Sequence, residues 1–174
     1  MRHERVNRRT LAACLAALLS AGCYSTSPLD ATPQVDLDAK LLGRWNCISA
    51  DSNGPEVAVA TFTTAPDAKR EYRLTWRERE DKTETYRAFL SSVRGSTFLN
   101  IGEQNEHPSW AFVRYTLLRD DVLYVEVANH ELFKDEGSDA TPAAARATLE
   151  KALKSRPDAV GTFCACVRPA PEEP

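Results

Sequence analysis

The chain has 174 residues, of which 22 are Lys or Arg and 25 are Asp or Glu, for a formal charge of −3. Beyond the first 22 residues its basic residues are dispersed, with no cluster of four to eight. That distribution argues against nucleic acid and against electrostatic docking on anionic head groups.

The first segment is an address. Arg2, Arg5, Arg8 and Arg9 precede an apolar stretch from Leu11 to Leu19, and small residues then lead into Cys23. This is the order of a secretory signal. Leu19-Ser20-Ala21-Gly22-Cys23 resembles the lipobox of bacterial lipoproteins. The resemblance implies cleavage after residue 22 and lipid attachment at the Cys23 sulfur. Buried acyl chains contribute about 0.8 kcal/mol per methylene, so two or three of them hold a domain on a membrane. Tyr24 in the second mature position implies the outer membrane, facing the periplasm, for lipoproteins resembling those of enteric bacteria. Loss of residues 1–22 removes four arginines and Glu4, leaving 18 basic and 24 acidic residues and a charge of about −6. After residue 22 no apolar run approaches the roughly 20 residues of a membrane span.

Residues 23–40 read as the lipidated cysteine and a flexible tether, rich in Ser, Thr, Pro and Asp, with a short helical turn towards Leu42. The domain proper is expected at residues 41–168. A proline-rich tail, 169–174, cannot supply a regular strand.

Alternation dominates the domain. Tyr72, Leu74 and Trp76 share one face of a strand, and Arg73, Thr75 and Arg77 the other. Similar strands are expected at Trp45–Ser49, Val57–Thr63, Tyr86–Val93, Thr97–Ile101, Trp110–Leu118 and Val122–Asn129, with short polar turns between them. The last two are apolar on both faces and need an outer cover. Thr141 and Pro142 cap and open a helix over 141–155 whose Ala145, Leu149, Ala152 and Leu153 recur at helical spacing, and this helix is the expected cover. A final strand, Thr162–Arg168, can return to pair with the first. The fold class is mainly β, an antiparallel up-and-down meander of about eight strands with one late helix packed outside.

Gly43-Arg44-Trp45 opens the first strand. It is similar to the Gly-x-Trp signature of lipocalins and related calycins, and the late helix followed by a further strand resembles their layout. The resemblance implies a small closed barrel with Trp45 plugging one end. It also implies an Arg near the helix stacked on that Trp, and Lys134 is the equivalent by order. The alternative layout is an open sheet or sandwich covered by the helix.

With Cys14 in the leader and Cys23 assigned to lipid, Cys47, Cys164 and Cys166 remain. If the first and last strands pair, Cys47 lies near Cys164 or Cys166, and either can be its disulfide partner. No metal is expected, because a Cys-x-Cys pair needs two further ligands and no accompanying spacing supplies them.

No nucleophile, phosphate-loop or zinc motif surrounds His107 or His130, so no catalytic residue is assigned. Arg114 shares a face with Trp110, Phe112 and Leu118, and Glu126 shares one with Val122 and Tyr124. Charges on apolar faces need a partner or a cavity. Arg114 is therefore either a head-group ligand inside a barrel, with Tyr72, Trp76, Tyr86, Trp110 and Phe112 as candidate walls, or an outer-face residue in a structural bridge. Besides a hydrolase or isomerase, which would need a polar cleft that brings His107 or His130 beside acids, two functions follow from the calycin resemblance and the lipobox. One is binding or carriage of a small hydrophobic ligand at the envelope, which requires an interior cavity. The other is a non-catalytic structural or protein-interaction module.

Overall fold

In a computed structural model of the protein, residues 25–51, 54–78, 82–137 and 140–170 are described. The leader, Cys23, Tyr24 and residues 171–174 of the tail lie outside them.

Strand alternation becomes a barrel with an inside and an outside. The strands are β1 (Gly43–Asp51), β2 (Gly54–Thr64), β3 (Tyr72–Arg77), β4 (Thr83–Val93), β5 (Ser96–Glu103), β6 (Trp110–Arg119), β7 (Val122–Ala128) and β8 (Val160–Val167). Each pairs antiparallel with the next, and β8 pairs with β1 to close the barrel. Closure through the pairs Asn46–Ser49 and Cys164–Val167 removes the open edges that a flat meander would expose. The eight-strand antiparallel layout fits a calycin-like fold. The inward faces supply one core, including Trp45, Phe62, Tyr72, Leu74, Trp76, Tyr86 and Leu90.

A second core lies outside the sheet. Phe89, Val93, Phe98, Trp110 and Phe112 face outward and are covered by the helix α1 (Pro142–Ser155) through Ala145 and Leu149. The Thr141 hydroxyl caps α1, accepting from the Ala144 N–H at 3.2 Å, and Pro142 begins it. Of the two strands expected to need this cover, the Trp110–Phe112 part of β6 receives it, whereas β7 contributes only Ala128 to the outer core and Leu118 stays exposed.

The segment before the barrel is also part of this cover. Residues 25–40, expected as a tether, follow an ordered path that starts on this outer core and ends against the interior core, where Asp38 bonds Tyr72. Ser25 pairs with Trp110, whose N–H donates to the Ser25 carbonyl at 2.9 Å. Leu29 is buried among the second core, and its N–H donates to the side-chain oxygen of buried Asn100 at 2.8 Å. Asn100 in turn donates to Ser91 Oγ and the Phe89 carbonyl. From α1, Arg146 reaches over to the Asp30 carboxylate at 2.7 Å and to the Ser92 carbonyl at 2.7 Å. The apolar anchors of the segment are Leu29, in this outer core, and Val35 and Leu37, packed against the interior core, with no periodicity, which is why composition alone suggests a tether.

One end of the barrel is shut by a lock built on β1 and the residue after β8. Trp45 is fully buried and donates from Nε1 to the Leu41 carbonyl at 2.8 Å. The Arg168 guanidinium lies 4.2 Å above the centre of its ring. Arg168 also donates to the carbonyls of Asp120 and Leu42, each at 2.9 Å, and to that of Lys40. Gly43 adopts a φ of +107°, and a Cβ there would come within 3.0 Å of Arg168 Nη1. The stacking role assigned by order to Lys134 therefore belongs to Arg168. Lys134 sits on an exposed turn, paired with Glu131 at 3.2 Å. Chain order misplaces the cation because it reaches Trp45 across the β1–β8 seam rather than from the approach to the helix.

This lock sets the first expectations. Arg168→Ala removes the ring contact and three charge-assisted hydrogen bonds and should lower unfolding free energy by about 2 kcal/mol or more. Arg168→Lys should recover less than half, because an ammonium cannot span the three carbonyls as a planar fork does. Gly43→Ala should cost about 1–2 kcal/mol for the left-handed backbone alone. Denaturant titrations of the three variants check these values, and an unchanged midpoint for Arg168→Ala would remove the lock from the account.

Candidate functional site

The barrel interior is the natural place for a ligand in such a fold, so its contents decide what it can hold. Large side chains from facing strands fill it. Their polar tips are met at the two ends. Towards the locked end, the Tyr72 hydroxyl donates to the Asp38 carbonyl at 3.0 Å and accepts from its N–H at 2.6 Å, while Tyr115 donates to the Asp38 carboxylate at 3.2 Å. Towards the other, Tyr86 donates to the Glu84 carboxylate, and Trp76 Nε1 donates to Glu78 at 3.1 Å. Burial pushes the phenols of Tyr72, Tyr86 and Tyr115 well above their ordinary range. For Glu84, burial works against the charge, but the Tyr86 hydroxyl and Lys82 prevail and hold the carboxyl below its usual range.

Between these ends remains a cavity of about 50 Å³, bounded by apolar walls such as Leu74, Trp76, Val125 and Phe163 and by the three cysteines. Drug-sized ligands occupy pockets of roughly 300–1,000 Å³. A larger hollow of about 340 Å³ lies between surface loops and includes Glu71, Arg73, Arg87 and Trp110 in its wall. Its Arg87 is already held by Glu71 through two hydrogen bonds, at 2.6 and 2.7 Å, and stacks near the rings of Phe89 and Trp110.

The six candidate ligand residues divide between the two faces of the sheet. Tyr72, Trp76 and Tyr86 point into the barrel. Trp110 and Phe112 belong to the outer core, packed edge-to-face on Phe89 and Phe133 with ring centres 5.6 and 5.1 Å apart. Arg114 lies on the same outer face and meets Glu126 directly across the β6–β7 pair, through Nε at 2.7 Å and Nη2 at 2.8 Å. Of the two readings of Arg114, the structural bridge is the one this geometry forms. Because both faces of β6 are apolar, sequence pattern cannot say which face looks inward; Val113 and Tyr115 do.

The sulfur atoms form the one cluster of metal-ligating chemistry among the described residues. Cys47 and Cys166 face each other across β1 and β8 and are joined by a disulfide. In this register Cys164 stands opposite Ser49, so the open choice of partner resolves to Cys166. The bridge closes a loop with a sequence separation of 119, worth about 5 kcal/mol in chain-entropy terms. The Cys164 thiol is buried, 3.6 Å from the Cys166 sulfur. Burial pushes its pKa up to about 12. His107 is exposed on the β5–β6 loop, and His130 lies in a short turn with Nε2 3.3 Å from the Glu131 carboxylate. Among the described residues no helix is long and apolar enough to cross a membrane.

Comparison with known protein families, with curated proteins and with solved structures finds no match to this chain.

The thiol carries a pH dependence with a definite sign. Folding raises the pKa of Cys164, so its contribution is complete below the unfolded thiol's value of about 8.5 and is lost as pH rises towards 12. Through this window the wild type should lose stability relative to Cys164→Ala by up to about 1.4 kcal/mol per pH unit. Parallel denaturant titrations from pH 8 to pH 11 measure the difference. At pH 8 the folded protein should also resist iodoacetamide at Cys164, and unfolding without reductant should expose that thiol to rapid alkylation.

Proposed function

We propose that the protein is a lipid-anchored lipoprotein of the bacterial envelope whose barrel serves as a protein-interaction module. The observation that carries this choice over ligand carriage is the filled interior: a cavity of about 50 Å³ has no room for an acyl chain or a head group. The anchor is supported by the resemblance of residues 19–23 to a lipobox, and the periplasmic face of the outer membrane by Tyr24 after Cys23. A surface hollow of about 330 Å³ includes His130 and Asp158 in its wall, but no nucleophile motif in the sequence accompanies them. The half-buried Arg114–Glu126 pair is satisfied internally.

A surface suited to a partner lies on the side away from α1. Ile48 and Val57 face each other across β1 and β2 and are 54% and 43% exposed. Ala165 of β8 stands beside Ile48, and Val167, 48% exposed, follows two residues on. Apolar side chains grouped in this way at a surface mark contact sites.

Two measurements test the proposal. Native mass spectrometry of protein purified from membranes should give the lipidated chain alone after mild activation. Reproducible release of a stoichiometric amphiphile from the barrel would return the protein to the carrier reading. A photo-crosslinking residue at position 48 should give a discrete protein adduct in living cells, whereas one replacing exposed Ala147 on α1 should give none. No adduct from position 48 would remove the interaction reading.

A further inference from the structure

We propose that, once the Cys47–Cys166 disulfide is reduced, the barrel binds one trivalent thiophilic ion of the arsenite class on the sulfurs of Cys47, Cys164 and Cys166. The three sulfurs lie within 4.8 Å of one another, and those of Cys164 and Cys166 are 3.6 Å apart. An ion with sulfur bonds of about 2.3 Å and near-right angles between them places its ligands about 3.3–3.5 Å apart. Opening the disulfide frees Cys47 and Cys166 to reach that spacing, while the β1–β8 register keeps both beside Cys164.

Charge selects the ion. The adjoining cavity is walled by residues such as Leu74, Leu99, Ile101 and Val113, and its lining contains no Lys, Arg or His. Three thiolates carry three negative charges, so a monovalent ion leaves two of them uncompensated and a divalent ion leaves one. Net charge in a dry apolar pocket is costly. A trivalent centre makes a neutral complex, and trigonal pyramidal coordination requires no fourth ligand. The small cavity accommodates its lone pair. Thiolate softness points the same way, since sulfur donors favour soft centres over those that prefer oxygen.

The chemistry balances in two steps. A dithiol reductant transfers two electrons and two protons to the Cys47–Cys166 bridge and becomes a disulfide itself. Arsenous acid then exchanges its three hydroxyls for three thiolates: three S–H bonds break, three arsenic–sulfur bonds form, and three waters leave. Arsenic stays trivalent throughout, and no net charge enters the barrel.

The test, which rests on the proposed lipoprotein reading for the loss of Cys14 and the blocking of Cys23, uses the mature lipidated protein purified from membranes, with the bridge reduced by a phosphine, which leaves no competing dithiol, and arsenite as the probe. Native mass spectrometry of the folded, reduced wild type should show one added arsenic and the loss of three hydrogens. The oxidised wild type should show no such adduct. Cys164→Ser keeps both disulfide cysteines and should fold as the wild type does. On reduction it should lose the three-sulfur adduct, leaving at most a species that retains a hydroxyl on arsenic. If reduction loosens the barrel, arsenite is added during refolding and recovery of the near-ultraviolet circular dichroism becomes a second readout. Failure of the folded, reduced wild type to bind arsenic overturns the proposal, as does an identical three-hydrogen loss in Cys164→Ser.

Discussion

The stacked pair of Arg168 and Trp45 is the contact on which the architecture turns. A barrel closes only if its last strand finds its first, and here those strands are separated by nearly the whole domain. Arg168 joins them from the end: its guanidinium covers the Trp45 ring and holds carbonyls from the entry turn and from the β6–β7 turn together. Gly43 leaves the space it needs. Two residues inward along each strand, Cys47 and Cys166 add a covalent fastening on the lumen side of the same seam. The noncovalent lock and the disulfide therefore act on one register, and displacement of either strand by one residue would turn both devices to the wrong face.

Much of this was legible in sequence where one face of an element differs from the other. The Tyr72-Leu74-Trp76 alternation assigns inside and outside without ambiguity, and the structure buries those three while exposing Arg73 and Arg77. Thr141-Pro142 marks the helix start to the residue. Where both faces are apolar, pattern falls silent. Trp110 and Phe112 belong to the outer core rather than the lumen, and Arg114 finds Glu126 there. The Arg168 contact was available only through register: the residue ends the expected last strand, and pairing that strand with the first brings it to Trp45. The ordered course of residues 25–40 depends on Asn100 and Arg146, both distant in sequence, and no local property of the segment announces them.

The two cores divide the molecule's labour in an unusual way. In a carrier the lumen is kept open and the outer surface is passive. Here aromatic rings occupy the lumen and satisfy their polar atoms on Asp38, Glu78 and Glu84 at its ends, so the interior acts as a solid pillar. Helix, entry segment and sheet make a second packed layer on one side. The opposite side, around Ile48 and Val167, remains uncovered. The asymmetry moves the available chemistry from cavity to surface, with the sulfur cluster, among the described residues, as the reactive group retained inside.

The docking of Ser25 on Trp110 has a mechanical corollary. If Cys23 carries lipid, as proposed, the backbone is fixed to β6 two residues past that anchor, and two residues reach about 7 Å at most. Such a leash would be too short for the barrel to sweep away from its membrane. It would ride against the bilayer with the β6 entry end lowermost and the Trp45 end pointing away, so any partner must come to the membrane to meet it.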